Sequence, residues 1–425
     1  MGRSILKKQI KKGMDYNKAL AIVVFAALYV SQETTIFGTN SDSHFTLIGM
    51  LSWVLFAIVC AIRIFKTKQQ NISYLISLSG LILLSALVNF DFSGGLALQI
   101  SVLLVGYYIA GRFPFVQFAV TFERLLYWIA LSSLVIYILF LVVPGVFSIF
   151  PRITSGNGLS YINVFISRIS LYNPGSPFMR NSSFFREPGV YMIFLVTALI
   201  VQLFYLKKKN NIHIVTFLAA IFTTFSTAGY VITITLFGFF YLSRRGANAL
   251  IYIMAFSGLL IALYLNFNDH LIFTDTFGKF NEDSSKYAST VSRYASVQVP
   301  LQMIFEKPIL GVGLSEFVRR FSEYSWMLMG ADIHSGGAST NTILNLTATY
   351  GLIYGVIVIT MLFKGCKQFN TSADRRRTLM IFVILLLVLS NEDIRYSVFF
   401  TALLFYGVVN GRLNKYNIST PARRV

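Results

Sequence analysis

Repeated apolar runs without a single charged residue, such as 125–143 and 251–265, restrict this chain to few folds. A helix that crosses a bilayer needs about 20 mainly apolar residues, whereas a membrane barrel shows alternating segments of about 10. Unbroken runs therefore predict helical spans. Composition agrees, with 55% AVILMFWYC, 12% charged residues and mean hydropathy +0.66 over 425 residues. Soluble domains carry about 25% charge, so soluble, secreted, fibrous and disordered classes are excluded. Two cysteines and four histidines argue against a disulfide scaffold or a His/Cys zinc cluster.

We expect an all-α polytopic membrane protein, one integral domain over 1–425. About twelve spans fall near 19–37, 45–62, 71–89, 95–111, 125–145, 189–206, 212–226, 228–242, 248–266, 342–363, 378–390 and 396–410. The basic stretch before the first span resembles a signal-peptide start, but no small-residue cleavage site follows, so the span reads as an anchor. Two pairs of short spans need defending against single long helices. Residues 212–242 as one helix would run about 46 Å and place Lys207–Lys209 and Arg244–Arg245 on opposite sides, so a turn is expected near Ser226 to Gly229. One helix over 378–410 would bury Asn391, Glu392, Asp393 and Arg395 at mid-membrane, which is costly, so a turn is expected there too. With both termini inside, 25 of the 36 Lys and Arg lie in the tail and loops assigned to the cytoplasm. The net charge of +19 thus reflects orientation rather than nucleic-acid binding.

Only two connections are long, 146–188 and 267–341, and both fall outside, which is where function is expected. The second contains helical patterns near 284–305 and 315–329. Arg180-Asn-Ser-Ser-Phe-Phe-Arg186-Glu187-Pro188-Gly189 closes the first loop and opens the sixth span. Arginine at a membrane interface is often only an anchor, but guanidinium forks match phosphate oxygens and a helix N-terminus favours an anion beside it. Arg293 sits in the first helical pattern of the second loop, which ends in Pro308-Ile-Leu-Gly-Val-Gly313. Arg319 and Arg320 belong to the second pattern, with Glu316 and Glu323 at helical spacing. That helix reads as an interfacial helix lying on lipid, and its paired signs support this. His334, in Asp332-Ile-His334-Ser-Gly-Gly, has the pKa range for taking a hydroxyl proton. Asp332 and His334 lack a third ligand at useful spacing, so no metal site is expected. Asn391 to Arg395 reads equally as a hydrated turn or as a partly buried polar cluster. His44 and His270 read as loop residues, and His213 as the cytoplasmic edge of a span.

The arrangement resembles the O-antigen polymerase and O-antigen ligase superfamily of bacterial membrane glycosyltransferases (Wzy and WaaL types). The residues that carry the likeness are Arg180-x-x-Ser-Phe-Phe-x-Glu187-Pro188-Gly189, Phe225-Ser-Thr-Ala-Gly229, Ser292-Arg293 with Pro308 to Gly313, and His334 ahead of Asn341-Thr-Ile-Leu and Tyr350-Gly-Leu-Ile-Tyr-Gly355. They run in order over about residues 178–360. Ligases tend to place a histidine beside the asparagine; here His334 and Asn341 are seven residues apart, which favours a polymerase.

The resemblance implies a bacterial inner-membrane enzyme acting at its periplasmic face on undecaprenyl-pyrophosphate-linked oligosaccharides as donor and acceptor. No cofactor is implied, a chain-length regulator is a candidate partner, and membrane lipids surround the chain. In this reading Arg180, Arg186 and Arg293 neutralise the departing diphosphate in place of a metal. His334 deprotonates the acceptor hydroxyl, with Glu187 positioning an arginine or serving as the alternative base, Arg319, Arg320, Asn341 and Tyr172 contact sugar or acceptor, and aromatics such as Tyr172 and Phe184 stack on sugar faces. The rival readings are a ligase, which differs only in acceptor, and a lipid-linked oligosaccharide flippase, which would place polar residues at mid-membrane and show two related halves.

Overall fold

A computed structural model of the protein describes residues 20–26, 28, 46–66, 71–154, 160–164, 167–170, 179–245, 287–329, 339–370 and 374–409. The helices are α1 Thr46–Lys66, α2 Ile72–Val88, α3 Gly94–Arg112, α4 Phe115–Val142, α5 Pro188–Ile200, α6 Asn211–Thr223, α7 Thr227–Arg245, α8 Tyr287–Glu306, α9 Leu314–Met329, α10 Thr342–Tyr350, α11 Leu352–Phe369, α12 Arg375–Leu389 and α13 Val398–Val409. A π-helical turn, Val201–Tyr205, extends α5. Among the described residues four stretches are long and apolar enough to cross a membrane: Gly94–Arg112, Phe115–Val142, Pro188–Tyr205 and Leu352–Phe369. The remaining apolar helices, such as Ile72–Val88 and Val398–Val409, are shorter. The protein is thus a largely helical membrane protein. The expected ninth span, 248–266, lies outside the described residues.

Helix α5 sits in the middle. Every residue from Gly189 to Leu203 is buried, as a helix apolar on all sides requires. Helices α4, α6, α7 and α12 pack around it, while α3, α11 and α13 form a second tightly packed group with α1 and α2 on its flank. Outward faces stay apolar: Leu51, Leu55 and Ile62 on α1, and Trp128, Ile138 and Val142 on α4, are each about half exposed or more. Apolar surface on this scale is a liability in water and neutral against lipid tails.

Both expected turns are present. Thr224–Ser226 separates α6 from α7, and 390–397 separates α12 from α13. The expected tenth span, 342–363, is instead two helices. Gly351, at φ 93° and ψ 168°, breaks it, and the backbone N–H groups of Val312 and Gly313 donate to the carbonyls of Ala348 (2.9 Å) and Thr349 (3.1 Å). The Pro308–Gly313 turn therefore takes up acceptors that the broken helix leaves open. The expected fifth span starts about ten residues early, because Phe115 to Arg124 continue the helix. Strands are an addition to the all-α expectation: β1 Arg152–Thr154, β2 Ser160–Asn163 and β3 Arg168–Ser170 form an antiparallel sheet in the first long loop, in the order β1-β2-β3. Their alternation is too short to register as a pattern in sequence.

Candidate functional site

The residues before α5 are fastened from several sides. Asn181 takes the Thr223 carbonyl through its backbone N–H (2.9 Å), and its Nδ2 donates to Ser133 Oγ (3.2 Å) and Thr223 Oγ1 (3.0 Å). Arg180 Nε donates to the Thr224 carbonyl at 2.9 Å, so the turn between α6 and α7 aims this arginine. That turn is shaped by Phe225 at φ 47°, and Ser183 in the arginine segment has φ 49°. Two non-glycine residues in the left-handed region mark a backbone held by its surroundings. Beside Arg180 a shallow cleft is lined by Tyr137, Ser167, Arg168, Met179 and Asn181. Arg168, on β3, is buried over the Tyr161 ring and escaped the sequence reading, which had no strand to place it on.

From the other side comes the turn between α12 and α13. Thr342 Oγ1 donates to the Glu392 carbonyl (2.7 Å) and accepts from the Ile394 N–H (3.0 Å). Asn345 Nδ2 donates to Asp393 Oδ2 (2.8 Å), which also receives Arg395 Nε (2.6 Å). Arg395 rests over Phe317 of α9, and its carbonyl accepts from Gln99 of α3. Asn391, Glu392 and Arg395 are each 6% exposed, so the turn is a buried polar cluster rather than a hydrated one. The polar network is what makes such burial affordable.

The two sides meet at Glu392. Arg186 Nη2 lies 4.0 Å from Glu392 Oε2, and Arg186 Nε lies 3.7 Å from Glu187 Oε1. Arg293 of α8 donates through Nη1 to Asn391 Oδ1 at 2.6 Å. Glu392 is in electrostatic contact with Arg180, Arg186, Arg293 and Glu187. Burial, reinforced by the Glu187 carboxylate, pushes its carboxyl up to about 8 against the pull of the three arginines. Burial likewise lowers the pKa of Arg180, opposed by Glu187 and Glu392. Gly189 lets this happen: a Cβ there would collide with the Glu392 carboxyl where it now lies, so glycine in the first turn of α5 leaves it this position.

Other expected site residues fare differently. Asn341 is the N-cap of α10, its Oδ1 accepting from the Leu344 N–H at 3.0 Å, so that oxygen serves the helix and not a sugar. Arg319 donates to Glu316 (2.9 and 2.8 Å) and Glu323 (2.6 Å), and Arg320 to Glu316 and Glu306 (2.5 and 2.6 Å). Their forks are spent along α8 and α9 and do not join the cluster; hydrogen bonds from Arg319 and Arg320 hold Glu316 down at about 2. Phe184 is 2% exposed and stacked on Phe185, which makes it core and closes it to sugars. His334, Asp332 and Tyr172 lie outside the described residues. Glu392 was visible in sequence only as a charge too costly to leave at mid-membrane. Among the described residues no group of three His, Cys, Asp or Glu side chains is placed to hold a metal.

What the site defines is a class: a membrane protein with a polybasic, carboxylate-bearing centre at one end of its helix bundle, where guanidinium groups outnumber carboxylates. The sequence matches no protein-family model and no curated protein.

Proposed function

We propose that the protein is a membrane glycosyltransferase that polymerises oligosaccharide units carried on undecaprenyl pyrophosphate, at the periplasmic face of a bacterial inner membrane. The observation that carries the reading is the meeting of Arg180, Arg186 and Arg293 around Glu392. These arginines come from segments over 100 residues apart, and they gather at one end of α5 and α7 while Lys207–Lys209 and Arg244–Arg245 mark the other. By the positive-inside rule the arginine cluster then faces outward. A lipid-linked diphosphate has its charge at that depth, with its tail in the bilayer.

In this mechanism the arginines hold the diphosphate and stabilise the charge that builds on it as it leaves. The acceptor hydroxyl oxygen bonds to the donor's anomeric carbon, the bond from that carbon to the diphosphate oxygen breaks, and its electron pair departs with undecaprenyl pyrophosphate. The hydroxyl proton passes to a base. Glu187, whose side chain is 49% exposed beside Arg186, is placed to meet an acceptor, and His334 is the alternative base. The broken helix at Gly351 does not favour a transporter, because the Pro308–Gly313 turn fills the break where a transporter would leave a substrate cavity.

The test is purified protein in detergent, with and without a chelator, given undecaprenyl-pyrophosphate oligosaccharide. A ladder of longer lipid-linked glycans is expected, falling by about 10²–10³ in Arg293→Ala. A single capped product formed only with lipid A core would mean a ligase. No product, with lipid-linked sugar crossing liposomes, would mean a flippase.

A further inference from the structure

We infer that Glu392 is the resident counter-anion of the arginine site, and that a diphosphate seated there is bound together with one proton taken up by Glu392. The inference rests on the reading that these arginines hold a diphosphate, and it adds a regulation of that site by pH.

The geometry comes first. Glu392 is 6% exposed and lies against Gly189 of α5, which has no side chain to shield it. Its closest described charge partner, Arg186, stands at 4.0 Å, well beyond the roughly 2.7–2.9 Å of a charge-assisted hydrogen bond. The carboxyl is surrounded by guanidinium groups without being locked to one. Next to it Asn391 Oδ1 accepts from Arg293 Nη1, while its buried Nδ2 has no hydrogen-bond partner among the described residues. A buried donor in that state is uncommon and suits an anion that completes the site.

The charges facing Glu392 are Arg180, Arg186 and Glu187 from the segment before α5, and Arg293 from α8. On its own turn Asp393 and Arg395 are closed on each other and on Asn345 of α10. Thr342 of α10 meets only its backbone, and Tyr230 of α7 lies beside Arg180. Three cations hold Glu392 against burial and against Glu187, leaving it poised near 8. A diphosphate brings at least two further negative charges and draws the same guanidinium groups to itself. Both effects favour the neutral carboxyl, so binding and protonation are linked. Above the poised value the unprotonated carboxylate competes with the ligand, and affinity falls as pH rises. Below it the site is already proton-loaded and affinity is flat.

The experiment is calorimetric titration of the full-length protein in detergent with farnesyl diphosphate between pH 7 and 9.5, where the probe's phosphates are almost fully ionised. Wild-type affinity is expected to fall about tenfold per pH unit above about 8. Two buffers of different ionisation heat should report up to about one proton taken up at pH 8.5–9. Glu392→Gln should bind about tenfold tighter than wild type at pH 9 and show no fall. The same pH profile in both proteins would overturn the inference while leaving the diphosphate site intact. Should the variant not remain folded, absence of proton uptake by the wild type at pH 8.5–9 overturns the inference by itself. No farnesyl diphosphate binding at pH 7, with Arg293→Ala indistinguishable from wild type, would remove the anion site and the proposed function with it.

Discussion

Gly351→Ala should be among the most damaging single changes in the chain. Its φ of 93° and ψ of 168° lie in a region open essentially to glycine, and forcing alanine there costs about 1–3 kcal/mol. The new Cβ would also meet the Ile309 carbonyl and come within 2.8 Å of the Leu310 nitrogen. Relief requires the Pro308–Gly313 turn to back away from the helix break. That movement threatens three hydrogen bonds: Val312 N–H to Ala348 (2.9 Å), Gly313 N–H to Thr349 (3.1 Å) and Leu352 N–H to Pro308 (2.7 Å). At about 0.5–1.5 kcal/mol each, their loss adds about 1.5–4.5 kcal/mol. The total, about 2.5–7.5 kcal/mol, is large against the usual effect of one substitution. Gly80→Ala is the control, because its Cβ would meet nothing within 4 Å and its site is a helix interior, where alanine gains about 0.5–1 kcal/mol. Reversible unfolding in mixed micelles reads both. Since the turn follows α8, which carries Arg293, Gly351→Ala should also weaken the proposed diphosphate binding. A Gly351→Ala protein within about 1 kcal/mol of wild type would refute the account of the break.

Asp91 accepts from the Ser315 N–H (2.8 Å) and Oγ (2.7 Å) at the start of α9. Although burial raises its pKa, the hydrogen bonds from Ser315 and Ser93 outweigh it and hold the carboxyl below the usual range. Its stabilisation is therefore present above the unfolded value near 3.9 and lost as pH falls through the lower folded value. The stability gap between wild type and Asp91→Asn, measured by denaturant titration, should be full at about pH 6 and shrink below about 4. Glu123, 2% exposed, takes Gln202 Nε2 and His213 Nδ1 on one oxygen, each at 2.6 Å. Glu123→Ala should lower stability by about 2–4 kcal/mol by leaving those groups unpaired, with Glu123→Gln milder; equal thermal unfolding of all three proteins would count against the cluster. Arg319→Ala should keep the proposed glycan synthesis within about twofold of wild type, because its guanidinium serves carboxylates of its own helix. A large loss of product would return Arg319 to the site.

Much of the architecture was written in local pattern. Apolar runs and basic clusters called for a break near Ser226 to Gly229, which falls a few residues earlier at Thr224–Ser226, and for one around Asn391 to Arg395, which falls at 390–397; the alternatives put basic clusters on opposite sides in the first case and charge at mid-membrane in the second. The helical periods of the second long loop match α8 and α9 within a few residues. Arg180, Arg186 and Arg293 were legible as residue types whose chemistry suits phosphate, and Glu187 as a carboxylate that could position an arginine or take a proton. Other features depend on partners far away in sequence, which a local pattern cannot register. The helix break at Gly351 exists because a turn 40 residues earlier presses its backbone against it. Asn341 looked free for a ligand until its helix formed and took its oxygen, and Phe184 looked free for a sugar until Phe185 and the core enclosed it. Glu392 shows the division most plainly. Sequence indicated that it sits in a turn, because leaving Glu392, Asp393 and Arg395 inside one long apolar helix costs too much. Only the tertiary structure decided that the turn is buried after all, since three arginines and a glycine from distant segments supply the charge and the space that make it tolerable.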